Sequence, residues 1–194
     1  MDTADVGWKS VRPLAEITAI ENAYLHGVPS LGHAAAELLR RWHHDLRDAE
    51  TLIRLIFLAW YQRAEPTHLT GLGGELPSPD CLISEVGGDA SLDVESRFVV
   101  GYLARLDPHA MGGSNWEERA EALLTGAASS TSALFADWRI FFESSAPVRG
   151  RKLNLVAEVR ARFAGRGAMG DYFVQVLTSA VGSAYRREGG GGAT

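Results

Sequence analysis

The sequence has little cysteine and no long apolar run. Cys81 is the single cysteine among 194 residues, so no internal disulfide can form and a reducing compartment is expected. The longest apolar run, 55–61, is far shorter than the roughly 20 residues that a membrane-spanning helix needs. The first ten residues contain two acids and no apolar stretch, so we expect no signal peptide there. These absences predict a soluble, cytoplasmic protein without a membrane partner.

Lysine is also scarce, and positive charge is unevenly placed. Only Lys9 and Lys152 are lysines, so arginine supplies nearly all of the positive charge. Residues 64–96 contain seven acids and no base, whereas 149–166 contain six bases and one acid. The net charge of −5 and the isoelectric point of about 5.7 argue against nucleic acid as the main partner. The two charged stretches could meet within one molecule and pin the long connection to the C-terminal helices. We favour the arrangement in which they face outward, where each can recruit a partner or a second copy.

Strand-like alternation is missing, and apolar residues recur instead at helical spacing. Residues 51–61 read TLIRLIFLAWY and are apolar on almost every side, which is typical of a helix covered all round. The pattern predicts an all-α fold, an irregular bundle of about eight helices around this buried central helix. We predict a single domain over 1–188 and a flexible glycine-rich tail over 189–194.

One long connection interrupts the helical pattern. Residues 65–90 are rich in glycine and proline and show no helical period, so they are predicted to form one long loop. Leu69, Leu72 and Leu82 are expected to pin this loop to the domain. The loop can serve as a lid, a docking surface or a disordered segment.

Three patterns resemble chemical sites but favour ordinary structure. His33, Glu37 and His44 share one helical stripe, which lies opposite the apolar face and is therefore expected to be solvated. Cys81 precedes apolar residues and is expected to be half-buried and inert. The glycines of 71–75 follow a helix instead of a strand, unlike a phosphate-binding loop. No cofactor and no metal site is predicted.

Arg54 is the only charged residue within the apolar stretch 51–61. An unpaired buried charge is very costly, so Arg54 needs a carboxylate partner. Glu50 lies one helical turn earlier, in the favourable orientation, and is the partner that sequence spacing suggests. A structural ion pair is the favoured interpretation, and an anion-binding site is the alternative.

Three functional hypotheses remain open. The first is an interaction or accessory protein, not an enzyme, that binds a protein partner or itself through charged and aromatic surfaces. The second is an enzyme with a pocket beneath 65–90 that uses His68, Glu75 or Glu85. The third is nucleic-acid or phosphate binding through the basic segment 149–166. The residues predicted to make interactions are Arg149, Arg151, Lys152, Arg160, Arg162, Glu75, Asp80, Glu85 and Asp89.

Overall fold

The fold is built from helices. The computed structural model describes residues 11–44, 48–143 and 152–189, and within these ranges it contains α-helices and short 3-10 turns but no strand. The predicted all-α class is therefore confirmed. Ten α-helices lie in the described ranges: α1 Leu14–Leu25, α2 Leu31–His44, α3 Ala49–Ala64, α4 Thr67–Thr70, α5 Pro79–Glu85, α6 Val94–Leu106, α7 Trp116–Ala128, α8 Ala133–Ala136, α9 Lys152–Phe163 and α10 Gly167–Gly189. None of these helices is long and apolar enough to cross a membrane.

Helix α3 is the central helix that its composition predicts. Every residue from Thr51 to Trp60 is buried. Asp48 is the N-cap of this helix, and its carboxylate accepts a hydrogen bond from the Thr51 amide at 3.2 Å. Helices α2, α5, α6 and α10 pack around α3, and this packing explains why its sequence has no polar face. Apolar residues from α1 through α10 form one continuous core with α3 inside it.

The connection 65–90 is more ordered than its sequence suggests. It contains α4, α5 and a 3-10 turn over Asp89–Ser91, so the prediction of a long segment without helix is wrong in this respect. Leu72 and Leu82 are buried as predicted, whereas Leu69 is 52% exposed. Helix α5 is only seven residues long, too short to show a period. Local capping defines it instead, because the Ser78 hydroxyl accepts from the Cys81 amide and proline occupies the first turn.

A close backbone contact holds this connection against the start of α2. Gly32 lies in the first turn of α2, and a Cβ there would lie 2.9 Å from the carbonyl carbon of Gly71 and closer still to its oxygen. Gly71 ends α4 with a left-handed φ of +76° and itself approaches the carbonyl group of Pro29. Only residues without a Cβ allow the two segments to approach this closely.

Three further boundaries complete the helices. The aromatic-rich stretch after Ser132 is divided into α8 and a 3-10 turn, Trp138–Phe141. Helix α10 begins at Gly167, so Asp171 lies within it. Helix α6 begins directly after its N-cap, Asp93. The predicted tail lies outside the described residues apart from Gly189, and the single-domain boundary remains a prediction.

Candidate functional site

Two acids of the predicted interaction set are engaged inside the molecule. Arg119 of α7 donates to Asp80 at 2.6 Å and to both carboxylate oxygens of Asp89, at 2.7 and 3.0 Å. Its guanidinium also lies over the Trp116 ring, 3.6 Å from the centroid. The hydrogen bonds that Arg119 donates to the Asp89 and Asp80 carboxylates raise the pKa of Arg119. These contacts attach the connection 65–90 to α7, so Asp80 and Asp89 have a structural role.

The two glutamates of the same connection differ in their surroundings. Glu85 accepts a hydrogen bond from the Trp42 indole, with 2.8 Å between Nε1 and Oε2. Both glutamates are exposed. The structure therefore ties Glu85 to α2 through Trp42, whereas no such contact to another helix is seen for Glu75 among the described residues.

The basic segment meets acids within the same chain. Arg162 donates to Glu95 at 3.0 Å, and Arg166 forms ion pairs with both Glu95 and Glu50. The expectation that the charged stretches face outward is therefore wrong for Arg162 and Arg166. Arg160 is exposed. Arg149 and Arg151 lie outside the described residues, and Lys152 begins α9 with its side chain outside the description.

A cleft of about 420 Å³ opens beneath the C-terminal end of the connection 65–90. We call it the acidic cleft. It lies where the first turns of α3 and α6 meet the end of α5. Asp93 stands at its edge as the N-cap of α6, accepting from the Ser96 amide at 2.7 Å. Four apolar and four polar residues line the cleft: Ala49, Leu52, Val86 and Leu92, with Glu85, Ser91, Asp93 and Ser96.

The acidic cleft contains one of the three residues suggested for a pocket under this connection. Glu85 lines it, whereas His68 and Glu75 are not among its lining residues. Both of its ionisable lining groups, Glu85 and Asp93, are carboxylates. Asp93 is not among the residues predicted to make interactions, although it can be recognised as a helix cap before an apolar stripe.

A buried ion pair joins α1, α3 and α10. Arg54 donates to Glu21, and both side chains are almost completely buried, with 2% and 0% exposed. The amide of Ala168, in the first turn of α10, also donates to Glu21. Gly167 has a left-handed φ of +65°, and a Cβ there would lie 2.6 Å from the Glu21 carboxyl carbon. The predicted need for a partner of Arg54 is confirmed, but the predicted partner is wrong, because Glu50 binds Arg166 instead.

The same three helices form a small aromatic pocket one turn away. This pocket has a volume of about 90 Å³ and includes the rings of Tyr24, Phe57, Tyr61 and Tyr172. The hydroxyl groups of Tyr24 and Tyr61 are 3.1 Å apart and share a hydrogen bond. Burial raises the pKa values of Tyr61 and Tyr172. Leu25, Ala168, Asp171 and Gln175 complete the lining.

The histidine stripe and the cysteine differ from their predicted exposure. Glu37 is only 5% exposed, although a solvated position was predicted, and it forms ion pairs with Arg12 and Arg40 and lies 3.7 Å from the His33 ring. The hydrogen bond from Arg40 lowers the pKa of Glu37. Cys81 is exposed instead of half-buried. Among the described residues, no three His, Cys, Asp or Glu side chains are grouped so that they could hold a metal ion.

Comparison with protein-family models, with curated proteins and with solved structures finds no match for this chain.

The position of Glu21 leads to a prediction about pH. Burial raises its pKa from 4.5 to about 6, although Arg54 and the Ala168 amide act in the opposite direction. Because the folded state then binds the proton more tightly than the unfolded chain, this group favours folding most below pH 4.5. Its contribution is lost as the pH rises through about 6. Carbon-detected NMR titration should give Glu21 an apparent pKa near 6. A Glu21 value at or below 4.5 would contradict the prediction.

Proposed function

We propose that this protein binds a small organic cation in the acidic cleft. The observation that carries the proposal is the composition of the cleft: Leu52, Val86 and Leu92 offer an apolar wall, and Glu85 and Asp93 offer carboxylates. Its volume of about 420 Å³ lies within the roughly 300–1,000 Å³ that small-molecule pockets occupy. The ligand class that fits is an amine with an apolar body.

The charges around the cleft support a cation and disfavour an anion. The N-termini of α3 and α6 would each attract an anion. Each is already occupied by its own carboxylate, Asp48 on α3 and Asp93 on α6. Glu85 adds a further negative charge beside Asp93. A protonated amine is therefore the charged group that this cleft would stabilise.

The proposal favours a binding pocket over the charged docking surface that the sequence suggests. Asp80, Asp89 and Arg162 form ion pairs within the chain. Charges already paired inside the chain offer less to an external charged partner. Binding of a protein partner remains a second candidate, because Leu25, Val28 and Leu69 are 50–52% exposed. The contact between Pro29 and Gly71 brings the segments of Val28 and Leu69 together.

The test compares cyclohexylammonium with the neutral, similarly shaped cyclohexanol. We expect the amine to bind about tenfold more tightly, because the two carboxylates, both on exposed residues, each contribute up to about 1 kcal/mol. In a proton–nitrogen NMR titration, the amides of Leu52, Val86 and Leu92 should shift. Equal affinity for the two compounds, or shifts confined to another region, would refute the proposal.

Two conservative variants remove charge while keeping the local structure. Glu85→Gln retains an oxygen that can accept from Trp42, and Asp93→Asn retains a good N-cap. Each should weaken cyclohexylammonium binding by about threefold and leave cyclohexanol binding unchanged. Glu75→Gln is the matched control, since Glu75 is an exposed glutamate of the same connection. If the control weakens binding as much as the two variants do, the cleft is not the site.

A further inference from the structure

The aromatic pocket between α1, α3 and α10 has no role in the cation-binding proposal above. It is lined by aromatic rings on three helices, and a carboxylate, that of Asp171, also lines it. We propose that this pocket is a second binding site, specific for a methylated ammonium group.

The size of the pocket suits a head group. Its volume of about 90 Å³ is about three times the roughly 30 Å³ that one water molecule occupies in the liquid. That space accepts four or five heavy atoms, such as a trimethylammonium group, and excludes a nucleotide or other large cofactor. The rest of the ligand would extend out of the pocket past the exposed residues Leu25 and Gln175.

The pocket walls favour a cation over a neutral apolar group. Aromatic faces carry negative charge density and attract cations within about 6 Å. The rings of Tyr24, Tyr61 and Tyr172 are arranged edge to face, with Tyr61 6.3 Å from each of the other two centroids. Phe57 lies 5.4 Å from Tyr172 and stacks on Tyr61, with 5.2 Å between the ring centroids. Four aromatic rings thus line one small volume together with a carboxylate.

The electrostatic surroundings of the pocket also favour a bound cation. Burial is the largest cause of the raised pKa of Tyr61, and Tyr24, Glu65 and Tyr172 raise it further. All of these causes disfavour a negative charge on Tyr61. Asp171 is partly buried, and this burial raises its pKa. A bound cation would counter both effects, because it stabilises the carboxylate form of Asp171.

Methylation is favoured because aromatic rings supply half of the pocket lining, whereas acceptors remain only on a minority of the lining residues: the Asp171 carboxylate, the Gln175 amide oxygen and the Tyr172 hydroxyl. A primary ammonium group needs three acceptors. The Tyr24 and Tyr61 hydroxyl groups already bond to each other. Methyl groups need no acceptor and can contact the ring faces directly, so a quaternary ammonium group gains more here than a primary one.

The experiment uses choline and its neutral isostere, 3,3-dimethylbutan-1-ol, with the full chain. Choline should bind about tenfold more tightly than the alcohol and more tightly than ethanolamine, and it should shift the amide signals of Tyr61 and Tyr172. Trp60 lies 5.7 Å from Tyr172, so its fluorescence gives a second readout. Equal binding of choline and the alcohol, or tighter binding of ethanolamine, would overturn the proposal.

The variants separate this pocket from the acidic cleft. Asp171→Asn should remove most of the preference for choline over the alcohol. Tyr172→Leu should weaken both the amide shifts and the change in Trp60 fluorescence. Tyr61→Phe keeps the ring and should retain the preference. Glu85→Gln changes only the acidic cleft and should leave choline binding as in wild type, so the two proposals can fail separately. Loss of choline binding in Glu85→Gln alone would place choline in the cleft and refute the second site.

A peptide arm identifies the source of the ammonium group. A short peptide containing trimethyllysine should compete with choline if the natural ligand is a modified protein side chain, whereas the unmodified peptide should not. If choline binds and neither peptide competes with it, the pocket is assigned to a free quaternary amine. Competition by both peptides alike would show that methylation is not recognised and would overturn the proposal.

Discussion

Replacing Arg54 by leucine should lower the free energy of unfolding by about 3–5 kcal/mol at pH 7, the usual result of removing one partner of a buried ion pair. The substitution would leave the Glu21 carboxylate at 0% exposure with only the Ala168 amide to stabilise it. Oε1 of Glu21 has no hydrogen-bond partner among the described residues, so Arg54 supplies most of its compensation. Urea unfolding followed by circular dichroism measures the loss.

The loss should depend on pH in a defined direction. Without Arg54, the folded state would favour protonated Glu21 even more strongly, so the variant should lose less stability at pH 5 than at pH 7. The double variant Glu21→Leu with Arg54→Leu should recover most of the loss, since a buried pair can often be replaced by apolar residues at little cost.

An exposed ion pair provides the control. Arg139 pairs with Glu121, and their side chains are 58% and 44% exposed. Arg139→Leu should therefore change the stability by only about 0–1 kcal/mol. If Arg54→Leu unfolded at the wild-type urea concentration, the Glu21–Arg54 pair would not be the buried pair that the structure shows.

Replacing Gly32 by alanine should destabilise the protein by about 1–3 kcal/mol, as overpacking usually does. Helix propensity alone predicts the opposite sign, since alanine favours a helix by about 1 kcal/mol over glycine. The clash with the Gly71 backbone explains the difference, because a carbonyl group cannot turn aside as a flexible side chain can. Thermal unfolding should show the lower midpoint.

Gly182→Ala is the matched substitution in α10. A Cβ at Gly182 meets no atom within 4 Å, so alanine should raise the stability by roughly 0.5–1 kcal/mol. Opposite signs for two glycine-to-alanine changes in helices would identify backbone contact as the cause. A stabilised Gly32→Ala variant would show that α2 and the 65–90 connection do not approach each other as described.

The central helix could be predicted because one local property determines its place. Residues 51–61 are apolar on nearly all sides, and only a covered helix accommodates such a sequence. Helix α5 was missed although Ser78 and Pro79 form a cap signal, because a search for periodicity needs a longer helix. Short helices are recognised by their ends.

The ion pairs and the cleft depend on contacts that the sequence does not encode locally. Arg54 pairs with Glu21, 33 positions away, whereas Glu50, one helical turn away, pairs with Arg166. A signal for Glu21 existed: it interrupts the apolar stripe of α1 that contains Leu14, Ile17 and Tyr24. The acidic cleft has no such signal, since its lining residues come from α3, the end of α5 and the start of α6.

The arrangement of α1, α3 and α10 affects the order in which the chain can fold during synthesis. The ribosome releases α1 and α3 well before α10, yet α10 provides the Ala168 amide for Glu21 and the Tyr172 ring beside Phe57 and Trp60. Until α10 emerges, an apolar face of α3 stays in contact with water, a condition that promotes aggregation and chaperone binding. Nascent chains stalled before residue 167 should therefore be protease-sensitive, and protection should appear only once α10 has left the exit tunnel.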